Sequence, residues 1–408
     1  MAQNPDAALR APQHLVKLRF SIRRIGAAVP SATAAAFAII SVYDRRRLAR
    51  YDAAVATKYQ ELRFDGAVLM TDRRCSRRLM FAAPLLALQA TIVGRTAKAA
   101  AAEGEFSSFL YSIGREAAAQ GINPSTIDLA LRYAQYLPHV IELDRHQPEQ
   151  LLTFTQYLEK TVSPQRIENA RRALNDNWRL LQAVHRNYGV DPRFIVALWG
   201  MESDFGRITG NYLVVASLAT LGFDGRRGSY FRGELISALR IIDGGNVGAG
   251  NMTGSWAGAM GQCQFMPSTF LHYAVDFNGD GRRDIWDDRA DVLGSIANFL
   301  AHLGWRDGES WGRRVQLPAG FDIRSSGLDV RRSTGEWSRM GVRAIDSRPL
   351  EVSGIEASLV MPDGADGPAL LVYDNFRTIM RWNKSTYFAG AVGYLADEMI
   401  AGPRTVPG

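Results

Sequence analysis

Glu202 is the residue of this 408-residue chain best suited by its surroundings to do chemistry. It stands in residues 194–206, FIVALWGMESDFG, as a carboxylate inside an otherwise apolar run. A carboxyl held at the edge of a core or in a cleft is poorly solvated, so its pKa rises and it can keep a proton near neutral pH. A general acid needs that property. The plainer reading is a core-edge carboxylate satisfied by an arginine, the usual fate of a lone Glu in an apolar helix. Asp204 lies two residues further on and therefore points to another helix face, which makes it a poor second catalyst.

The element that must position Glu202 is a helix. Asp191-Pro192 reads as an N-cap followed by proline at the first helical position, with Gly189 closing the helix before it. Phe194, Leu198, Met201 and Phe205 form one stripe at helical spacing, and Ile195, Trp199 and Glu202 form a second. A helix apolar on most sides is a buried one. Upstream, residues 105 to about 186 follow a helical pattern, whereas WGRRVQLPAGF, RAIDSRPLEVSG, EASLVMPDG and ALLVYDNF alternate short apolar runs with turns. These predict a small sheet appended to a helical body, followed by a last helix in NFRTIMRWNKSTYFAGAVGYLADEM.

The segment DFNGDGRRDIWDDRAD, residues 276–291, is close to an EF-hand loop. Asp276, Asn278 and Asp280 supply oxygens at positions 1, 3 and 5, Gly281 stands at position 6 and Arg282 at position 7. Position 12 is Asp287, where a standard loop has Glu. The competing reading is an Asp/Asn/Gly turn closed by its own hydrogen bonds.

The composition is that of a globular chain, 47% hydrophobic and 22% charged. Its net charge of +7 is misplaced evidence for nucleic-acid binding. Residues 1–99 hold 17 Lys+Arg against 6 Asp+Glu, which leaves 31 against 35 for residues 100–408, a balance of −4. The remainder has no basic stripe to present. With only Cys75 and Cys263 there is neither a disulfide framework nor a cysteine metal site. Residues 1–69 carry no legible domain. From Met70, the basic TDRRCSRR, the apolar LMFAAPLLALQATIV and the small residues of TAKAAAA read as a secretory signal over residues 70–99, with Ser76-Arg77-Arg78 loosely like a twin-arginine signal. Translation would then start at Met70. The alternative is an uncleaved membrane anchor, for which an apolar run of about 15 residues is short.

ALWGMESDFG, then NYLVVASLATLGFDGRRGSYFRGEL, then GSWAGAMGQCQFMPSTF, together with NFRTIMRWNKS, resemble the lytic murein transglycosylase B family (glycoside hydrolase family 103, transglycosylase SLT domain 2). The resemblance implies an α+β, mainly α-helical fold: an N-terminal helical region over residues 100–190, a lysozyme-like catalytic core over 191–312, and a small β-containing part with a C-terminal helix over 313–408. It implies a periplasmic, monomeric enzyme acting on peptidoglycan glycan strands, alone or beside other cell-wall enzymes, with no nucleic-acid partner. Glu202 would be a single acid and base cleaving the MurNAc–GlcNAc β-1,4 bond and leaving a 1,6-anhydromuramic end. The substrate itself would supply the nucleophile, where most glycosidases use a second carboxylate.

The same resemblance assigns a cleft lining. Tyr157, Ser255, Gln264, Phe265 and Asn383 would contact the glycan, and Arg226, Arg227 and Tyr230 the peptide stems. Core packing competes as the explanation for Tyr157, and a solvated turn for the two arginines. The family's calcium loop is longer than a standard EF-hand and closes on a later aspartate. That would be Asp291 here, one residue beyond the usual pattern, with Ca2+ structural and no cofactor needed for the chemistry. Trp382 and Phe299 replace tyrosines of the family pattern, as does Phe388, so phenol hydrogen bonds are expected to be lost there. Cys263 stands where a small or polar residue is commoner. Two other functions remain open: a muramidase-type hydrolase of the same bond, and a non-catalytic peptidoglycan-binding protein.

Overall fold

A computed structural model describes residues 103–146, 152–351 and 353–401, all within one compact unit. The expected signal segment, Cys75 and the unassigned residues 1–69 lie outside the described residues. No helix among those described is long and apolar enough to cross a membrane.

The chain opens with α1 (residues 103–119), α2 (Pro124–Leu131) and α3 (Pro138–Arg145), continues through α4 (Phe154–Thr161), α5 (Pro164–Asp176) and α6 (Trp178–Tyr188), and reaches α7 (Pro192–Ser203). Local chemistry sets these boundaries. Proline occupies the first helical turn of α2, α3, α5 and α7, where its missing N–H costs nothing. Thr153 and Gln156 form a capping box on α4, Ser163 caps α5, and Asp191 accepts the Arg193 N–H at the start of α7. Gly189, at φ +66°, ends α6.

The helix bearing Glu202 is buried on nearly every side and packs against α5, α6 and two later helices, α11 (Arg289–His302) and α14 (Thr386–Ile400). Between them come the short antiparallel pair β1 (Tyr212–Leu213) and β2 (Thr253–Gly254), with α8 (Val214–Asp224) and α9 (Gly228–Asp243) in the connection and α10 (Pro267–Tyr273) after it.

The C-terminal part holds an antiparallel five-stranded sheet of order β4-β6-β7-β3-β5. Its strands are β3 (Gly312–Gln316), β4 (Arg332–Ser333), β5 (Arg343–Ala344), β6 (Glu356–Val360) and β7 (Ala369–Val372), with α12 (Thr334–Arg339) between β4 and β5. Strand β7 is buried on both faces. Leu370 and Val372 join the main helical core, while Ala369 and Leu371 join a second core around Trp337, Val342 and Leu359. Alternation of side chains along a strand divides ALLV between the two cores, and a strand covered on both faces reads as a continuous apolar run. After β7 the chain turns into α13 (Asp374–Trp382) and α14, which lies back across α7.

Candidate active site

The last turn of α7 departs from the helical stripe that the sequence predicts. The helix stops at Ser203, and Asp204 (φ +51°) and Phe205 (φ +60°) adopt left-handed backbone, which is costly for an aromatic residue. Phe205 thus does not continue the stripe but folds back over Gly200. A Cβ on Gly200 would meet the Phe205 ring at 2.6 Å, and one on Gly206 would meet the Gln262 amide at 2.3 Å. Ser203 Oγ ties the turn, donating to the Trp199 carbonyl and accepting the Gly206 N–H at 3.1 Å. The motif around Glu202 is therefore a tight stop that presents the carboxylate at the end of a buried helix.

Glu202 is only partly exposed, and burial pushes its carboxyl pKa up to about 7. Opposing this, Trp382 Nε1–H donates to Glu202 Oε1 at 2.7 Å and favours the charged form. The arginine partner of the plainer sequence reading is absent from these contacts. Trp382 sits at the C-terminal end of α13 and packs on Phe265 (5.4 Å between centroids) and Phe299 (4.9 Å). A tyrosine-to-tryptophan change that was expected to lose a hydrogen bond instead supplies one, from a group that can only donate. Asp204, passed over as a second catalyst, is held by Arg207 and by Arg166 at 3.7 Å.

The other sequence candidates fall into two groups. Tyr157 is near Glu202: burial raises its pKa and the Glu202 charge raises it further. It stacks edge-on with Tyr387 at 5.7 Å. Ser255 and Gln264 lie on the loop after β2, where Ser255 Oγ accepts the Ala259 N–H at 3.0 Å. Gln264, at φ +49°, donates its amide to the Thr209 and Gly261 carbonyls at 3.0 and 2.8 Å, which leaves its carbonyl oxygen as the free end. Asn383 is exposed just beyond α13.

Two expectations need correction. Phe265 is 2% exposed, so it backs Trp382 and does not itself present a wall to a ligand. Arg226 and Arg227 are not free forks. Arg226 Nε donates to Asp144 Oδ2 and Arg227 to Asp144 Oδ1, both at 2.7 Å. Burial would push the Asp144 carboxyl up, but the two guanidinium groups outweigh it and hold it below its usual range. Tyr230 stays 47% exposed beside them.

Cys263 is buried, donates to the Val292 carbonyl at 3.5 Å, and has its pKa raised by burial and by the Glu202 and Asp291 charges, so it remains a neutral thiol.

The loop of residues 276–291 is knit by its own side chains. Asp276 accepts the N–H groups of Gly279 and Gly281 at 2.7 and 2.8 Å, and Asn278 Oδ1 accepts that of Asp280. Asp291, fully buried at the start of α11, accepts from Phe277 and Asp284, both at 2.7 Å. Burial raises its pKa despite these bonds. The Arg282 side chain turns to Asp280 at 3.9 Å, so only its backbone carbonyl could face an ion. No group of three or more His, Cys, Asp or Glu converges on a point among the described residues.

A family model, the transglycosylase SLT domain, matches residues 105–397. The chain belongs to this transglycosylase family. Membrane-bound lytic murein transglycosylase B of Escherichia coli K12 is 33% identical over 256 residues, covering 60% of this chain and 66% of that protein, just under two thirds of its length. SltB3 of Pseudomonas aeruginosa, solved with NAG-anhNAM-pentapeptide, matches with a TM-score of 0.71 at 45% identity, over 74% of this chain and 81% of that one. The E. coli lytic transglycosylase Slt35, solved with calcium, matches with a TM-score of 0.61 at 31% identity, over 72% and 92%. The α+β, mainly helical architecture of this family member is thus shared with lysozyme-like lytic transglycosylases.

Sequence reasoning missed three supports of the site. Trp382, expected to lose a hydrogen bond, supplies the one to Glu202. Gln262, which accepts from Trp199 Nε1 and donates to the Trp286 carbonyl, locks the loop of residues 261–265 to α7. Asp363, between β6 and β7, accepts the Phe154 N–H at 2.8 Å and the Tyr387 hydroxyl at 2.5 Å, pushing the latter's pKa to about 12. The doubled Gln of GQCQ was the only local sign of the second, and the third has none.

Proposed function

We propose that this chain is a lytic transglycosylase that cleaves the MurNAc–GlcNAc β-1,4 bond of peptidoglycan with Glu202 as its only acid and base. The observation that carries the reading is a single carboxyl at a helix end, with a pKa near 7 and a donor-only partner on Oε1. The proton then resides on Oε2, free to be given away. Glu202 donates it to the glycosidic oxygen as the bond to C1 of the muramic residue breaks, and the N-acetyl group of that residue stabilises the cation. The carboxylate, favoured by Trp382, next takes the proton of the C6 hydroxyl, whose oxygen bonds to C1. No water is consumed, and the single group ends as it began, in keeping with microscopic reversibility.

Around it, Tyr157, Ser255, the carbonyl of Gln264 and Asn383 are the candidate sugar contacts. Trp382, half-buried and backed by Phe265, is the candidate surface for stacking on a sugar face. Arg226 and Arg227, held on Asp144, offer only their remaining N–H groups to stem peptides, beside Tyr230. The same reading puts the protein outside the cytoplasmic membrane, where murein is, with export directed by residues 70–99.

The loop of residues 276–291 is proposed as a structural calcium site. Its donors are all hard oxygens, as the ion requires. Asp276 and Asn278 keep lone pairs beyond their backbone bonds, and the buried Asp291 carboxylate pairs with no Lys or Arg among the described residues. Asp276, Asn278, Asp280, the Arg282 carbonyl and Asp291 would hold the ion, which takes no part in the chemistry.

The deciding experiment is mass spectrometry of muropeptides released from purified sacculi. Anhydro products, about 18 Da lighter than hydrolytic ones, support intramolecular transfer. Reducing ends would make the protein a hydrolase, and no release would make it a binding protein.

A further inference from the structure

One helical turn before Glu202, α7 borders a second cleft of about 320 Å3 in which no sequence motif had pointed to a function. Its lining includes Trp199 and Phe205 from α7 and the turn after it, Arg172 and Asp176 from α5, Arg207, and Arg289 at the start of α11. Residues 100–408 are acidic on balance, yet three arginines from three separate elements gather here.

Their partners differ. Arg207 is paired with Asp204. Arg172 meets only the neutral Asn169 Oδ1, at 2.6 Å. Arg289 meets the neutral Asn177 Oδ1 at 3.4 Å and lies over the Trp199 ring, 5.4 Å from its centroid. Among the described residues no carboxylate comes within ion-pair distance of Arg172 or Arg289, although Asp176 lines the same cleft. Two guanidinium forks on helices, one of them over an indole, therefore lack among the described residues the acidic group whose geometry they match.

The cleft adjoins the Glu202 site. Trp199 precedes Glu202 by three residues, which puts the two about 60° apart around the helix. Arg166, six residues and so about 9 Å before Arg172 along α5, pairs with Asp204 and acts electrostatically on Tyr157 together with Glu202. A glycan seated over Glu202 would thus carry its side branches past this face.

We propose that the Arg172–Arg207–Arg289 cleft is a second binding site, distinct from Arg226 and Arg227, which takes a carboxylate of the short peptide borne by the glycan strand. This inference rests on the lytic transglycosylase reading above. The carboxylate bridges Arg172 and Arg289, and the Phe205 ring packs against the small apolar side chains of the peptide.

The test uses the full chain with Glu202→Gln, so that strands are bound without being cut. Short purified glycan fragments are titrated in two forms, one with intact stem peptides and one stripped of them by an amidase. The expected result is that adding Arg172→Ala and Arg289→Ala weakens binding of stem-bearing fragments about fivefold, the size expected of two exposed charge contacts, while stem-free fragments bind as before. Unchanged affinity for stem-bearing fragments, or an equal loss for both forms, would overturn the second site alone. Failure of the Glu202→Gln parent to bind stem-free fragments would instead overturn the functional reading on which it rests.

Discussion

As the proposed general acid, Glu202 would work only while it holds its proton, so activity is expected to be full well below pH 7 and to fall as pH rises through about 7. The same shift makes a stability statement. A carboxyl whose pKa is about 7 when folded and 4.5 when unfolded costs nothing below 4.5; the penalty grows as pH rises from 4.5 to about 7 and is constant above that. Replacing Glu202 by Gln should abolish muropeptide release yet raise stability at pH 8 by roughly 1–3 kcal/mol, with a much smaller gain at pH 4.5, as denaturant midpoints would reveal. Trp382→Phe removes the donor that favours the carboxylate. A hydrogen bond to a charged group is worth roughly 1.5–3 kcal/mol, so the alkaline limb of the pH profile should move up by about one unit, and Trp382→Tyr should restore most of it. If the Phe variant keeps the parent profile, the Trp382–Glu202 bond has no catalytic weight.

At the scale of elements, much of this arrangement was legible. The cap of α7, the glycine ending α6, and the strands in WGRRVQ, EASLV and ALLVY all follow from local residue chemistry, and the structure has them there. What was not legible is contact between distant elements. Nothing near Arg226 announces Asp144, 82 residues earlier, and nothing near Trp382 announces that its indole would turn inward to Glu202. The turn after Glu202 was hidden for another reason: its left-handed residues are Asp and Phe, where sequence reasoning looks for glycine. Gly200 is needed for that turn, and Gly200→Ala, which forces a methyl group into the Phe205 ring, should cost about 1–3 kcal/mol and reduce activity more than heat stability alone explains. Asp363→Ala should likewise loosen α4 and lower the melting temperature, since it leaves the Phe154 N–H and the Tyr387 hydroxyl without their acceptor. Because α4 carries Tyr157, substrate KM should rise more than kcat falls.

For the molecule as a whole, the proposed calcium loop joins α10 to α11, and α11 packs on α7. An ion that binds only the folded state raises the melting temperature with its concentration. Calcium should do so here, a chelator should reverse it, and Asp276→Asn should blunt the response while leaving cleavage at low temperature nearly unchanged. A rise common to the parent and the variant would place the effect elsewhere. The C-terminal part has a further consequence. Glu202 and Trp382 are 180 residues apart, and the helix that covers α7 is the last in the described chain. A contact of such long sequence separation cannot form until the intervening chain is present and its loop-closure entropy is met. A nascent chain that has emerged only as far as α12 carries the acid, but has neither its indole partner nor the helix that excludes water from it. The enzyme is in effect timed by its own length, and a chain truncated before α13 should bear Glu202 with an ordinary carboxylic pKa and cut nothing.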